Sequence, residues 1–322
     1  MKNIYITDFK TGEEIESFFM VKSIAVKMGS NKRNYMDILL GDNTGEIYAK
    51  KWNLADEEMD SAKFIAEGEV IKIRAEVTEW NSMKQLKISR IRKTNKDDDI
   101  QMSDYIKAAP EPPEEMYAFI KGKAQAMEDG DLKALCLMNL GDNQEKLLYY
   151  PAAQKNHHAE MAGLLWHIKR MIMTAEGVCL VYPHLDKDMV IAGVILHDMQ
   201  KLYEINANEQ GISGGYSFEG MLLGHLVMGI KVLDRQMESL SFPREKSIMV
   251  EHMILSHHYE PEFGSPKKPL FPEAELLHYL DMIDAKMYDM EDALAKTEPG
   301  GFSERVWTLD NRRLYKKQEE QK

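Results

Sequence analysis

Residues 3 to about 95 alternate between hydrophobic and polar side chains, a pattern that predicts β-strands. Turn-forming residues separate these segments, as in Gly41–Gly45. Five strands are predicted, over Glu16–Met28, Asn34–Leu40, Glu46–Trp52, Val70–Val77 and Lys84–Ser89. A short helix is predicted near Glu57–Ala66. The front of the chain is therefore expected to be a small β domain with one helix.

Five short strands with one intervening helix favour a five-stranded antiparallel barrel of the OB type, which commonly binds single-stranded nucleic acid. The stretch from Tyr35 to Trp52 resembles the tRNA-anticodon type of OB fold, with its Asp-x-Thr-Gly-Glu-Ile turn and following tryptophan. Candidate base-stacking residues are Tyr35, Tyr48, Trp52 and Trp80, and candidate phosphate partners are Lys32, Arg33, Lys50, Lys51 and Lys84. In the alternative interpretation, about half of these aromatics fill the barrel core and the lysines only keep its surface soluble.

A charge run at Lys96–Asp99 and a proline-rich stretch at Ala108–Pro113 mark a solvated linker after the strands. Helical periodicity resumes at Glu114 and continues through most of the remaining chain. The predicted domains are residues 1–95 (OB fold), 96–113 (linker), 114–298 (all-helical) and 299–322 (tail). The predicted fold class is therefore a multidomain α and β protein.

The predicted helices place histidine or aspartate on apolar faces. The clearest case is Met189–Leu196, which reads as a buried helix and runs directly into His197 and Asp198. Burying that pair costs several kcal/mol unless a partner neutralises it, and a divalent metal suits both side chains. Other apolar helices carry His167, His225, His257 with His258, and Asp281 with Asp284. The last two acids are three residues apart, so they share one helix face.

The distribution of histidines strengthens this interpretation. All ten lie between His157 and His278, whereas the first 156 residues contain none. A single histidine on an apolar helix is usually a core residue, but five successive helices that each present His or Asp are hard to explain that way. The helical part is therefore expected to be catalytic.

Composition narrows the class of protein. With 44% hydrophobic and 29% charged residues, the 322-residue chain is typical of a soluble globular protein. It has no apolar run of about 18 residues and no signal-peptide core, so we expect no membrane span. Its two cysteines, Cys136 and Cys179, lie in apolar helical surroundings. Free buried thiols there fit a reducing cytoplasm and argue against a cysteine-based zinc site.

The net charge of −12 argues against general binding to nucleic acid. Residues 1–96, however, hold 17 Lys and Arg against 15 Asp and Glu, whereas the remainder holds 24 against 38. The acidic excess therefore lies in the helical part. Affinity for a polyanion would have to come from local basic patches.

The order His … His-Asp … His … His-His … Asp is the pattern of the HD-domain metal-dependent phosphohydrolases. The chain also resembles one branch, the YhaM-type 3′–5′ exoribonucleases, in combination with its OB-type front domain. The matching details are His-His-x(4)-Gly-Leu-Leu-x-His, Leu-Gly-His, Ile-Leu-Ser-His-His, Gly-Ser-Pro-x-x-Pro and Leu-His-Tyr-Leu-Asp-x-x-Asp-Ala-Lys. The resemblance covers nearly the whole chain.

This resemblance implies two divalent metal ions, manganese first, with Fe, Co, Ni or Zn as alternatives. One ion would be held by His167, His197, Asp198 and Asp281. Asp198 would bridge to the second ion, which is completed by His225 and by His257 or His258. Asp284 is the alternative last carboxylate or a partner of a ligand, and His278 is expected to orient Asp281.

Further residues are expected to act on the phosphate. Lys201 would stabilise phosphate charge or assist the leaving group as water activated by the two metals attacks phosphorus. Lys267 and Lys268 would steer phosphate or simply solvate their loop. His157 or His158 could contact substrate at the pocket mouth.

The chain departs from the family pattern at two positions. Gln200 replaces the usual glycine before Lys201, and Trp166 stands before His167 where relatives often carry an acid. These changes could alter substrate choice, although the ligand set is intact.

The leading hypothesis is a cytoplasmic 3′–5′ exoribonuclease that hydrolyses single-stranded RNA, with single-stranded DNA as a further substrate. One alternative is a phosphohydrolase of small nucleotides or cyclic dinucleotides, and another is a nucleic-acid-binding regulator with an inactive HD site. The sequence leaves the oligomeric state open, a homo-oligomer included.

Overall fold

The structure is a computed structural model that describes residues 2–29, 33–52, 54, 65–80, 83–101, 104–153, 158–209 and 211–318. The chain divides into two compact units, Met1–Ala108 and Ala109–Lys322. The predicted helix near Glu57–Ala66 falls mostly on residues 55–64, outside the described residues, as do Lys32 and His157.

The first unit is a closed five-stranded barrel with the strand order β1-β2-β3-β5-β4. Its strands are β1 (Glu14–Met28), β2 (Asn34–Asp42), β3 (Gly45–Lys51), β4 (Val70–Trp80) and β5 (Met83–Lys93). Strands β3 and β5 pair in parallel, and the other neighbours are antiparallel. This is the topology of an OB-type barrel, and it confirms the predicted fold class.

Alternation along the strands builds the barrel core. On β2, Met36, Ile38 and Leu40 are buried, whereas Asp37 and Leu39 between them are half-buried. Successive residues of a strand point to opposite faces, so one set fills the interior and the other faces outward. The polar–apolar pattern that predicts the strands is therefore also what closes the barrel.

The second unit is helical. Its helices are α1 (Pro113–Gln125), α2 (Gly130–Asp142), α3 (Gln144–Leu147), α4 (Gly163–Val181), α5 (Lys187–Leu196), α6 (Lys201–Glu204), α7 (Phe218–Ser239), α8 (Arg244–Ser256) and α9 (Pro272–Ala295). A two-stranded ribbon of β6 (Ile205–Ala207) and β7 (Ser213–Tyr216) joins α6 to α7. The hydrophobic pattern does not predict this ribbon, because its strands are too short to show alternation.

Helix α5 lies at the centre of this unit. The side chain of Asp186 accepts a hydrogen bond from Met189 N at the start of the helix, a stabilising N-cap. Every residue from Met189 to Leu196 is buried. A side chain at Gly193 would meet Leu277 of α9 at 3.3 Å, so glycine allows the helices to approach closely. The end of α5 consequently lies deep in the helical core.

The last described residues add a small appendage to the helical unit. Two isolated β-bridges, Phe302 with Tyr315 and Val306 with Arg312, hold it together, and Leu309 is fully buried. Among the described residues, no helix is long and apolar enough to span a membrane.

Candidate metal centre

The side chain of Asp198, immediately after α5, lies at the centre of a buried cluster of histidines. Its Oδ2 is 3.3 Å from His197 Nε2 and 3.9 Å from His167 Nε2. Its Oδ1 is 3.5 Å from His225 Nε2 and 3.9 Å from His257 Nε2. The two oxygens therefore face different pairs of histidines.

Two further side chains complete these sets. On one side, His167 Nε2 lies 3.5 Å from Asp281 Oδ1 and 3.4 Å from His197 Nε2. On the other, ligand atoms of Asp198, His225, His257 and His258 all lie within 4.8 Å of one another. Asp281 and His258 are half-buried, whereas the other members are buried. The structure thus brings together every residue that the sequence analysis names as a metal ligand.

The spacing of these atoms suits a metal site better than direct hydrogen bonds. The Nε2 and carboxylate separations of 3.3–3.9 Å exceed the 2.7–3.2 Å of ordinary N–H···O bonds. Ligands of a tetrahedral ion with bonds of about 2.1 Å stand about 3.4 Å apart. The side chains therefore surround a space that suits a divalent metal ion, both in the chemical type of the ligand atoms and in their spacing.

Three buried atoms of the cluster have no hydrogen-bond partner within the part of the chain that the structure describes. They are Asp198 Oδ1, His225 Nε2 and His257 Nε2. Each buried unsatisfied group costs about 1–3 kcal/mol, so three of them around one point need a common partner. A divalent cation would satisfy all three at once.

The other ring nitrogen of each histidine is held by an acceptor. Nδ1 of His197, His257 and His258 lies 2.9, 2.8 and 2.7 Å from the carbonyls of Val194, Ile254 and Phe263 respectively. Carbonyl oxygens only accept hydrogen bonds, so these Nδ1 atoms carry a proton, and Nε2 is the nitrogen that faces the cluster. A neutral imidazole in this tautomer would bind a metal ion through Nε2.

His225 is held by a carboxylate that the sequence analysis misses. Helix α7 is interrupted at Gly224, whose φ of 68° frees the backbone N–H of His225 from the helical pattern. That N–H donates to Glu204 Oε1 at 2.9 Å, and His225 Nδ1 donates to Glu204 Oε2 at 2.9 Å. Burial opposes ionisation of Glu204, but these contacts with His225 hold its pKa below the usual value. The only sequence signal is the glycine before His225, which indicates a break in the helix.

Asp284 is the carboxylate that holds His167, as Glu204 holds His225. Its Oδ2 accepts a 2.7 Å hydrogen bond from His167 Nδ1, and Arg170 Nε lies 2.6 Å from its Oδ1. Burial opposes ionisation, yet hydrogen bonds from His158 and His167 hold the pKa of Asp284 well below its usual range. Asp284 thus contacts the ring nitrogen that does not face Asp198, which places it beside a candidate ligand rather than among the ligands.

His158 and His278 lie elsewhere than the sequence analysis expects. His278 Nδ1 donates to the carbonyl of His257 at 2.8 Å rather than to Asp281. His158, a candidate for the pocket mouth, is fully buried and contacts Asp284. A prediction from helix spacing alone cannot anticipate a backbone carbonyl as partner.

Lys201 adds a positive charge to the cluster. Its Nζ lies 2.7 Å from Asp198 Oδ2, and its side chain is 15% exposed. Burial alone would lower the pKa of Lys201, but Asp198 and Asp281 raise it above its usual value. Burial would likewise raise the pKa of Asp198, but His197 and Lys201 hold it well below its usual range. Aspartate and ammonium are therefore both charged at neutral pH.

The two departures from the family pattern have definite places. Gln200 is buried, and its Cγ lies near Gly229 of α7. Trp166 is half-buried on α4, with Arg170 5.6 Å from its ring centre. Neither lies within the cluster of ligand atoms that surrounds Asp198.

The barrel presents a separate aromatic surface. The rings of Tyr35 and Trp52 stack with centroids 4.5 Å apart, and Lys50 Nζ lies 5.9 and 5.7 Å from them. Tyr48 and Trp80 are 60% and 67% exposed. None of the four aromatics belongs to the buried core, so the alternative in which half of them fill it does not describe this barrel.

The candidate phosphate lysines differ in exposure. Lys51 faces inward at 7% exposure, and its Nζ donates to the Ser89 carbonyl at 3.4 Å. It is therefore not available to a strand on the outer surface, which corrects its expected role. Lys84 Nζ donates to the Phe9 carbonyl. In the helical unit Lys267 and Lys268 are exposed, and Lys268 Nζ lies 4.4 Å from the Tyr259 ring.

The chain is also similar in sequence to known proteins. A family model described as the HD domain matches residues 164–286. The chain is 38% identical to the 3′–5′ exoribonuclease YhaM of Halalkalibacterium halodurans over 308 residues, or 96% of this chain and 94% of that protein. It is 35% identical to the 3′–5′ exoribonuclease YhaM of Geobacillus sp. strain WCH70 over 311 residues, or 97% of this chain and 94% of that protein.

Among solved structures, the chain is similar to the second OB-fold domain of replication protein A from Methanococcus maripaludis. The identity is 14% and the TM-score 0.23, over 30% of this chain and 98% of that one. It is also similar to the OB domain of Ta0387 from Thermoplasma acidophilum, at 16% identity and a TM-score of 0.24, over 30% of this chain and 92% of that one.

Proposed function

Because this chain belongs to the family of the YhaM 3′–5′ exoribonucleases, we propose that it shortens single-stranded RNA from the 3′ end. It is a hydrolase, and its HD region carries the buried cluster of histidine and aspartate side chains. The observation that carries the proposal is the carboxylate of Asp198, whose two oxygens face two separate pairs of histidines.

We assign two metal subsites to this arrangement. His167, His197, Asp198 Oδ2 and Asp281 form the first, and Asp198 Oδ1 with His225, His257 and His258 forms the second. When bound, divalent ions supply Lewis acidity that lowers the pKa of water and polarises phosphoryl oxygens. Mixed nitrogen and oxygen ligands suit manganese, with Fe, Co, Ni or Zn as alternatives.

Lys201 is assigned to the phosphate. Its Nζ lies 2.7 Å from Asp198 Oδ2, so the ammonium is held beside the carboxylate that belongs to both subsites. A fixed positive charge in a buried site stabilises the negative charge that develops on phosphoryl oxygens. Of the two roles expected for Lys201, we therefore favour charge stabilisation.

The barrel is proposed to capture the RNA strand. Exposed aromatics offer stacking surfaces to bases of any sequence, and Tyr48 together with the Tyr35–Trp52 pair provides them here. Lys50 beside that pair is a suitable partner for phosphate. Single-stranded DNA carries the same phosphates and bases, so it is a further substrate to test. The two free cysteines suit action in a reducing compartment such as the cytoplasm.

The decisive experiment follows a 5′-end-labelled single-stranded RNA on a gel with added Mn²⁺. A ladder that shortens step by step from the 3′ end is expected for the wild type and not for Asp198→Ala. The same RNA labelled at its 3′ end should release labelled mononucleotide from the start. Matched DNA and a small cyclic dinucleotide test the alternative substrates.

A matched control shows whether a loss of activity is specific to the cluster. His184→Gln changes an exposed histidine outside the cluster and should retain full activity. Equal activity in the wild type and Asp198→Ala would refute the assignment of the site. A wild type that leaves RNA intact but hydrolyses the cyclic dinucleotide would refute the proposed substrate.

A further inference from the structure

His158 is a buried histidine to which neither the metal subsites nor the comparisons assign a role. Its side chain is fully inaccessible, and its Nε2 lies 2.7 Å from Asp284 Oδ2. The same oxygen accepts from His167 Nδ1, also at 2.7 Å. Asp284 Oδ2 therefore joins His158 directly to a candidate metal ligand.

The backbone around His158 is built to hold it there. His158 and Ala162 adopt left-handed conformations, with φ of 55° and 57°, which are uncommon for residues other than glycine. The carbonyl of His158 accepts from Ala152 N at 3.0 Å. A side chain at Gly163 would meet the carbonyl carbon of His158 at 3.0 Å, so this close approach requires glycine.

A second set of contacts lies at the opposite edge of the imidazole. His158 Nδ1 lies 3.7 Å from Glu160 Oε1, and Glu160 Oε2 accepts a 2.7 Å hydrogen bond from the Tyr288 hydroxyl. The Tyr288 ring also lies 4.1 Å from the His158 ring, centroid to centroid. Asp281, Asp284 and Tyr288 follow one another on α9 at helical spacing, so this helix supports the metal subsite and the His158 loop together.

The three atoms His158 Nε2, His167 Nδ1 and Asp284 Oδ2 are also close enough to hold a metal ion. Their two 2.7 Å separations are, however, hydrogen-bond lengths, shorter than the ligand spacing of about 3.4 Å around a tetrahedral ion. Arg170 Nε, 2.6 Å from Asp284 Oδ1, adds a positive charge that would repel a cation. The three side chains are therefore joined by hydrogen bonds rather than arranged as metal ligands.

We propose that His158 is a positioning residue for the first metal subsite, an inference that rests on the proposed function. Asp284 has Arg170 on one oxygen and two histidines on the other. Without the hydrogen bond from His158, the carboxylate would be free to turn towards the forked guanidinium of Arg170, which favours two-point contact with a carboxylate. His167 Nδ1 would then lose its acceptor, and His167 Nε2 its fixed direction.

The test compares His158→Gln with His158→Phe. Glutamine can place an amide N–H near the position of Nε2, whereas phenylalanine fills the space of the ring without a donor. Loss of such an outer partner typically lowers metal affinity about 10–100-fold. We expect His158→Phe to bind Mn²⁺ at the first subsite at least about 10-fold more weakly and His158→Gln to recover most of this loss.

Titration calorimetry with Mn²⁺ on the full chain gives the affinity, and RNA shortening at saturating Mn²⁺ gives the activity. His184→Gln is the control for loss of an exposed histidine. A His158→Phe variant that binds Mn²⁺ like the wild type would overturn the inference. Equal losses in the Gln and Phe variants would overturn it too, since packing alone would explain them.

If His158→Phe does not fold, the Tyr288→Phe variant provides the test, because it removes only the hydroxyl that donates to Glu160. A several-fold weaker affinity is expected, and an unchanged one overturns the inference.

The same titration separates this inference from the proposed function. A wild type that binds no Mn²⁺ refutes the metal centre and the role of His158 together. A wild type that binds Mn²⁺ and shortens RNA, beside a His158→Phe variant of equal affinity, refutes the role of His158 alone.

Discussion

The contact between Glu204 and His225 predicts that one metal subsite can be weakened without touching any ligand. Glu204 accepts both the backbone and the ring N–H of His225, at 2.9 Å each. In Glu204→Gln, one of the two acceptor oxygens becomes an NH₂ group that faces a donor. The change keeps the shape of the side chain and removes its charge.

The expected magnitude follows from the hydrogen bond that is lost. A hydrogen bond to a charged group contributes about 1.5–3 kcal/mol. Because about 1.4 kcal/mol corresponds to a tenfold change in an equilibrium constant, Mn²⁺ affinity of the second subsite should fall about 10–100-fold. The first subsite, which His167 and Asp284 support, should keep its affinity.

Titration calorimetry with Mn²⁺ should resolve this as two binding events in the wild type, of which only one shifts in Glu204→Gln. Asp284→Asn should shift the other event. RNA shortening at limiting Mn²⁺ should fall in both variants and recover partly at high Mn²⁺. Equal shifts of both events in Glu204→Gln, or no shift at all, would refute the independent support of the two subsites.

A pair of glycine substitutions provides an independent check. A Cβ at Gly220 would lie 2.9 Å from Glu204 Cα, so Gly220→Ala must displace the backbone that carries the carboxylate. We expect the same selective loss as in Glu204→Gln, together with a decrease of about 1–3 kcal/mol in unfolding free energy. Gly177→Ala on α4, with nothing within 4 Å of the added Cβ, is the control and should raise stability by up to about 1 kcal/mol.

Three further predictions concern the barrel and the metals. Lys2 and Asp42 form an ion pair whose side chains are completely buried, so Asp42→Ala should lower the unfolding free energy in urea by about 3–5 kcal/mol, and Lys2→Met in addition should restore part of it. Tyr48→Ala should weaken single-stranded RNA binding in fluorescence anisotropy by about 1–3 kcal/mol, whereas Lys51→Met should leave it unchanged because Lys51 faces inward. Removal of metal by a chelator should lower the melting temperature, since an ion at about 100 times its Kd stabilises the folded state by about 2.7 kcal/mol. Unchanged RNA affinity in Tyr48→Ala, or an unchanged melting temperature after chelation, would contradict these expectations.

The sequence predicts the fold class because the spacing of hydrophobic residues differs between strands and helices. All five predicted strands lie within the observed ones or extend one residue beyond, as Glu46–Trp52 does beside β3 (Gly45–Lys51). Helix α5 begins at Lys187, two residues before its predicted apolar run, and Asp186 caps it. The family resemblance, in turn, names the residues that meet around Asp198. Patterns that span many residues are therefore predictable from sequence.

The roles of single residues are harder to predict from the sequence, as the adjacent Lys50 and Lys51 show. Consecutive residues on a strand point to opposite faces, so at most one of the two can meet a ligand on the outer surface. Composition favours both lysines as phosphate partners, but pairing with β2 and β5 buries Lys51 and leaves Lys50 beside Tyr35 and Trp52. Which of the two lysines is exposed therefore depends on packing in the barrel interior rather than on the local sequence.

The partners of the histidines are less predictable still. Backbone carbonyls hold His197, His257 and His258, and every residue has such a carbonyl. Glu204 is separated from His225 by the β6–β7 ribbon and about two turns of α7, so no fixed spacing points to it. Only the folded arrangement shows which acceptor meets which ring.

Some of the histidines are held by backbone carbonyls and others by carboxylates, and this difference distinguishes the ligands within each subsite. A carbonyl fixes the tautomer of an imidazole, whereas a carboxylate also raises the basicity of the ligand. Among the candidate ligands, His167 and His225 have a carboxylate at the ring nitrogen that faces away from Asp198, and they lie against opposite oxygens of Asp198. Each proposed subsite thus contains one strengthened imidazole, supported from a different element: α9 through Asp284, and α6 through Glu204. Since the two supports share no residue, the metal affinities of the two proposed subsites would be set separately, even though Asp198 would belong to both.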